Sequence, residues 1–229
     1  MIIDPPRFIP PKSDDITLPY RDHAFACIEA DPPWQYRDRG YNGRQEVQKY
    51  RIHTPYDTMS VDELIAMGDE VQRVSAPSCH LWMWTTKDFR FDAERIMRAW
   101  GFTFKNASPW VKTTSRLRRT QKGLKQFTNE EIEIAQRVFD ALGMPGKPAY
   151  GMGHWLRPQH EALLLGVNDN SFRPLNATRE PAMVFAPKTK HSAKPKQAYE
   201  LIRRNSPGPR LSMFQRTERE GFTCWGNEL

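Results

Sequence analysis

Four consecutive residues, Asp31-Pro32-Pro33-Trp34, combine the groups needed to hold a planar amine. Asp31 offers acceptor oxygens, the prolines stiffen the chain and present carbonyls without competing N–H donors, and Trp34 offers a flat apolar face. An acceptor pair beside a stacking platform suits an exocyclic amino group on a nucleobase. The plainer reading of such a tetrapeptide is a Pro-Pro turn, with Asp31 as a cap and Trp34 in the core. Its placement favours chemistry: the motif follows the apolar run AFACIEA at 24–30, at the carboxyl end of a strand, where α/β proteins put ligand sites.

The elements that must position this motif alternate between strand and helix. After a polar, Gly/Arg-rich loop from Gln35 to Tyr56, the capping box Ser60-Val61-Asp62-Glu63 opens a helix predicted to run to about Val74. Strands are expected at 80–86, 102–113, 161–167, 182–187, 211–215 and 222–225. Between them, helical spacing covers Asp88 to Trp100, Thr128 caps a helix reaching Leu142, and Pro195 starts a helix ending near Ser206. The pattern predicts one α/β domain over 1–229, with a mostly parallel sheet, helices on both faces, and a loosely ordered Pro-rich arm over 1–20.

A 229-residue chain with 38% hydrophobic residues can bury a sizeable core. It has no run of about 18 apolar residues, and its N-terminus lacks the basic and apolar regions of a signal peptide. The expectation is a soluble, cytoplasmic protein. Lys and Arg outnumber Asp and Glu by 34 to 27, a net charge of +7 that attracts polyanions. Cys27, Cys79 and Cys224 sit far apart among apolar neighbours, which suits reduced thiols. With no Cys-x-x-Cys, and no third ligand near His154 and His160, a metal site is not expected.

Eight segments occur together and in order: ADPPW at 30–34, TPYDTMSVDEL at 54–64, LWMWTT at 81–86, AWGF at 99–102, WVKT at 110–113, GHWLRPQHEALLLG at 153–166, KHSAKPKQAYELIRRNSPGPR at 190–210 and CWGNEL at 224–229. On these segments, which cover about residues 24–114 and 150–229, the chain closely resembles the family of the seventy-kilodalton adenosine methyltransferase subunit. The resemblance implies a Rossmann-like methyltransferase fold with the catalytic motif ahead of the cofactor motif. It also implies methyl transfer from S-adenosyl-L-methionine to the N6 amine of adenine. No G-x-G-x-x-G is present, so a glycine-loop nucleotide site is not readable from the residues themselves.

The family pattern carries over to particular positions. Asp31, Pro32, Pro33 and Trp34 become catalytic, with Tyr56 as a second stacking face and Glu161 near the substrate adenosine. Asp15, Ile16, Asp31, Lys194, Phe214, Arg216, Asn227 and Glu228 become cofactor-binding, with Lys194 expected to pair with the cofactor's carboxylate. Ser212 departs from the pattern, standing where relatives can have an acidic residue.

Residues 115–150 interrupt the pattern. Arg116, Arg118, Arg119, Lys122 and Lys125 form a basic loop. A helix follows it, with Ile132, Ile134, Ala135, Val138, Phe139 and Leu142 expected to pack and brace the loop against phosphates. A solvated surface loop is the plainer alternative. With no appended RNA-binding domain and a plan resembling bacterial and bacteriophage members, the expected substrate is DNA. RNA, a catalytically inactive nucleic-acid-binding subunit and a small-molecule amine methyltransferase are the competing readings. The intact DPPW argues against the second, and the +7 charge with the basic tract at 116–125 against the third. A homodimer is compatible with all of them.

Overall fold

The computed structural model describes residues 16–35, 58–150, 156–170, 173–175, 180–189 and 193–226. Seven strands form one sheet: β1 (Phe25–Ala30), β2 (Ser75–Thr85), β3 (Thr103–Thr113), β4 (His160–Val167), β5 (Val184–Pro187), β6 (Arg210–Met213) and β7 (Thr223–Trp225). They lie in the order β5-β3-β4-β2-β1-β6-β7. The β1–β2, β1–β6, β3–β5 and β6–β7 pairs are parallel, while β4 is antiparallel to both β2 and β3. Six strands therefore run one way and β4 runs against them, so the start of β4 lies at the carboxyl edge of the others. This is the mostly parallel, Rossmann-like sheet that the sequence predicts.

Both faces are covered, which explains why β1 and the second half of β2 read as largely apolar runs without alternation. Ile28, Ala30, Leu81 and Met83 point to one side and pack with Leu64, Val71, Ile96 and Met97 of helices α1 (Val61–Ala66), α2 (Gly68–Val74) and α3 (Arg90–Ala99), and with Met67 and Trp100 at the ends of α1 and α3. Cys27, Trp82, Trp84, Trp110 and Leu163 point to the other and pack with Ala198, Tyr199, Leu201 and Ile202 of α5 (Lys196–Asn205).

Several boundaries differ from expectation for local reasons. The predicted helix to Val74 is two helices, because Met67 turns with ψ near 0 and Gly68 then packs so closely on α3 that a Cβ would stand 2.8 Å from the Ala99 carbonyl oxygen. The strand expected at 80–86 begins at Ser75, alongside β1. Pro195 is the extended cap of α5 rather than its first helical residue. Residues 16–20 of the expected arm are tied down: Ile16 and Leu18 are buried, and Arg73 donates to the carbonyls of Leu18 and Tyr20 at 2.8 and 2.7 Å.

The largest correction concerns the inserted segment. Its helix, α4 (Asn129–Ala141), has the expected Thr128–Glu131 capping box, but of the apolar residues assigned to packing only Ile132 is buried. Ile134, Val138 and Leu142 are 50%, 54% and 66% exposed. Ile132, Ala135 and Phe139 face inward, while the row Ile134, Val138 and Leu142 faces outward. Chemical denaturation separates the two kinds of position. Ile132→Ala should cost about 2 kcal/mol or more, whereas Val138→Ser should stay within about 0.5 kcal/mol of the parent.

Candidate active site

The carboxyl edge of the sheet carries a row of four alternating charges. Asp31 follows β1, Lys112 lies near the end of β3, Glu161 near the start of the reversed β4, and Lys194 two residues ahead of α5. The Lys194 ammonium lies 2.9 Å from Asp31 Oδ1 and 3.3 Å from Glu161 Oε2. Lys112 Nζ lies 2.5 Å from Glu161 Oε1. Beneath the row, Trp84 and Trp110 meet edge to face at 6.2 Å, with Lys194 Nζ 5.4 Å from the first ring and Lys112 Nζ 5.2 Å from the second. Each cation is thus held by a carboxylate and an aromatic face.

Strand periodicity dictates this grouping. Trp110 and Lys112 are two apart on β3, Glu161 and Leu163 two apart on β4, and Cys27, Glu29 and Asp31 follow the same alternation along β1, so all project to the α5 face. Burial sets the electrostatics. It pushes the Asp31 carboxyl above its usual range, with Lys194 opposing and Glu161 adding to the rise. Burial also raises Glu161, but there the ammoniums of Lys194 and Lys112 win and hold it below the usual range. For Lys194, burial favours the neutral amine and the two carboxylates outweigh it, so it stays firmly protonated.

Lys194 therefore differs from expectation. Two of its three N–H donors go to Asp31 and Glu161 among the described residues, so its first role is to bind these carboxylates together. Trp34 differs too: it is 6% exposed and stacked on Phe89 at 4.8 Å with 14° between the rings, so it is a core residue and not an open platform. The Pro33 carbonyl accepts from the Met59 N–H at 2.8 Å. The Pro32 carbonyl accepts from the Trp34 N–H at 2.8 Å and retains a second lone pair.

On the cofactor side, Ile16 is buried in the hydrophobic core rather than open at a binding surface. Phe214 and Arg216 follow β6, next to β1 in the sheet, at the point where strand order reverses. Phe214 is half-buried, takes φ of 62° and meets Trp225 edge-on at 5.5 Å. The Arg216 charge reaches Asp31. Gly226 allows this close turn, since a Cβ there would stand 1.9 Å from the Gln215 carbonyl oxygen. Asp15, Tyr56, Asn227 and Glu228 lie outside the described residues.

The basic insert leaves the sheet beside the row. Thr114 N–H donates to the Lys147 carbonyl at 2.9 Å and Ala149 N–H to that of Lys112 at 2.7 Å, closing the base of the segment next to Lys112. Arg116, Arg118 and Arg119 are exposed, while buried Leu117 between them donates its N–H to Gln136 Oε1 at 2.6 Å. The sequence reading had missed Lys112, the Trp84–Trp110 floor and Glu29. The two-residue spacing of Trp110 with Lys112, and of Glu29 with Asp31, was the available signal.

The sequence pattern of the MT-A70 family matches residues 25–138 and 139–228. Among curated proteins, the human N(6)-adenine-specific methyltransferase METTL4 is 28% identical across 96% of this chain and 42% of its own length. The human N(6)-adenosine-methyltransferase catalytic subunit METTL3 is 24% identical across 97% of this chain and 32% of its own length. The MT-A70-like N(6)-adenosine-methyltransferase of Drosophila melanogaster is 25% identical across 90% of this chain and 27% of its own length. The chain thus spans less than half the length of these relatives. With the family pattern covering nearly all of β1 through β7, the chain belongs to the MT-A70 family.

Proposed function

We propose that this chain transfers a methyl group from S-adenosylmethionine to the N6 amine of adenine in DNA. The observation that carries the reading is the row Asp31–Lys194–Glu161–Lys112 at the carboxyl edge of the sheet, beside the β1–β6 crevice. The residues fit a sulfonium cofactor. Asp31 and Glu29 supply carboxyls for its cationic side, Glu29 Oε1 has no hydrogen-bond partner among the described residues, and Phe214 and Arg216 stand across the crevice. When bound, the cofactor supplies an electrophilic methyl group on sulfur.

The adenine amine is a poor nucleophile because its lone pair is delocalised into the ring. Asp31 and the second lone pair of the Pro32 carbonyl would accept its two N–H bonds, localising the lone pair and aligning it for attack. Lys194 fixes the Asp31 carboxylate in place, and Lys112 does the same for Glu161. As the nitrogen gains positive charge its proton turns acidic, so Asp31 can take it without being a strong base beforehand. With Trp34 buried, a stacking face must come from elsewhere around the row.

DNA is preferred on the adenine-specific name of METTL4, together with the +7 net charge of this chain; the adenosine-directed names keep RNA as the second reading. Incubation with labelled cofactor and matched single-stranded DNA, duplex DNA and RNA, followed by digestion to nucleosides, should yield N6-methyldeoxyadenosine. Label only in N6-methyladenosine would move the substrate to RNA, and label in neither would overturn the reading. Asp31→Ala should abolish transfer while cofactor binding stays measurable by calorimetry.

Lys194→Met should reduce the maximal rate and move the acid limb of the pH–rate profile upward. Lys194 opposes the burial that already raises the Asp31 carboxyl, so its removal leaves the carboxylate protonated to higher pH. An acid limb at or below the parent's would refute that role. Replacing Arg116, Arg118 and Arg119 together with Ala should flatten the dependence of log affinity on log salt by up to about 0.9 per lost phosphate contact on duplex DNA. A salt slope equal to the parent's would place phosphate contact elsewhere.

A further inference from the structure

Glu29 is a fully buried carboxyl to which the reaction scheme gives no step beyond facing the cofactor's cationic side. It lies on β1 two residues before Asp31 and on the same face, and it is 0% exposed. Its Oε2 accepts from the Ser212 hydroxyl and, at 3.2 Å, from the Gln215 amide. Its Oε1 has no hydrogen-bond partner among the described residues. The two donors bracket Phe214 and precede Arg216, so one carboxyl oxygen ties the whole turn after β6 to the strand that carries Asp31. Arg219 extends the network, donating to Gln215 Oε1 at 3.1 Å with its guanidinium 3.6 Å from the centre of the Tyr199 ring.

We propose that Glu29 is a positioning residue for the cofactor: through Ser212 and Gln215 it fixes the turn bearing Phe214 and Arg216, and arrival of the cationic cofactor beside Asp31 drives its proton into solvent. The inference rests on the proposed methyl-transfer reading and adds a residue to it. An ionised carboxylate accepts both hydrogen bonds more strongly than a neutral acid does, so the turn tightens when the cation is in place. Burial, opposed by the Ser212 hydrogen bond, pushes the Glu29 carboxyl up to about 7, within reach of a nearby positive charge. The charged and titratable groups around it are Cys27 on β1, Asp31 just after it, Lys194 ahead of α5, Tyr199 on α5, Arg219 after β6 and Cys224 on β7. Asp31 holds the proton on Glu29, Lys194 and Arg219 favour its release, and a sulfonium adds to the second side.

Calorimetry of S-adenosylmethionine binding at pH 7, in buffers of different ionisation enthalpy, reads the released proton directly. The wild-type protein should release more protons than Glu29→Gln, by up to about half a proton per site, since a carboxyl with a pKa of about 7 is about half protonated at pH 7. S-adenosylhomocysteine, which lacks the sulfonium charge, should show a smaller difference between the two proteins. Glu29→Gln should weaken cofactor affinity about tenfold, the size of a lost hydrogen bond to a charged group, and raise the cofactor KM by more than it lowers kcat. Ser212→Ala, which removes a donor and keeps the carboxyl, should weaken affinity in the same direction.

Equal affinity and equal proton release in wild type and Glu29→Gln would overturn the inference while leaving methyl transfer intact. Should Glu29→Gln fail to fold, a wild-type protein that releases no more protons with S-adenosylmethionine than with S-adenosylhomocysteine would overturn it equally. A wild-type protein that binds neither compound would instead bring down the proposed function, and this inference with it.

Discussion

The site depends on one ammonium group held between two carboxylates away from bulk water. Lys194 Nζ meets Asp31 and Glu161 over the ring of Trp84, and Lys112 closes the row, so two positive charges face two negative ones. Buried charges persist only when paired with good geometry, and removing one member leaves its partners exposed to the full desolvation cost. The row also ties together β1, β3, β4 and the approach to α5, four segments distant in sequence. Its contribution is geometric: it holds the Asp31 oxygens where a flexible exposed carboxylate would wander.

The reversed strand makes that arrangement possible. In a wholly parallel sheet the start of every strand lies at the edge remote from the ligand crevice, and a residue beginning β4 could not reach Asp31. Because β4 runs against its neighbours, Glu161 arrives at the carboxyl edge opposite Trp110, in register with β3. The same face then receives Lys112, two residues along from Trp110. On the far side of the sheet α1, α2 and α3 fill the core, while the charged row lies on the α5 side. The sheet thus separates stability from function by parity along its strands.

Much of this was legible in the residues. The strand before Asp31, the capping boxes at Ser60 and Thr128, and the seven strand segments follow from hydrophobic period and turn chemistry, and the family resemblance supplied Lys194 and Glu161. What the chain does not announce is pairing across space. Lys194 reads as a cofactor anchor until Asp31 and Glu161 are seen to hold it, and Trp34 reads as a platform until Phe89 covers it. The helix over 129–141 has the spacing of a packed element, yet amphipathicity states only that a helix has an apolar stripe, not that something covers it. Glu29 was hidden for the opposite reason: its two-residue spacing from Asp31 puts it on the same face, but the Ser212 and Gln215 contacts that reveal its use come from a distant strand and turn.

The pairing of Glu29 with Ser212 has a direct physical explanation. β1 and β6 are neighbours in parallel register with Glu29 opposite Ser212, so a carboxyl on either strand enters the same small volume. Two acidic side chains there would repel each other without solvent to screen them. One acid and one hydroxyl instead form a hydrogen bond, and the negative charge stays on the strand that also carries Asp31. Held on β1, that charge is two residues from Asp31 and coupled to it, so the turn after β6 and the Asp31 carboxyl respond to the same cation. A carboxyl placed on β6 would still reach the crevice, but it would lack the through-strand link that makes the turn and the reacting centre a single electrostatic unit.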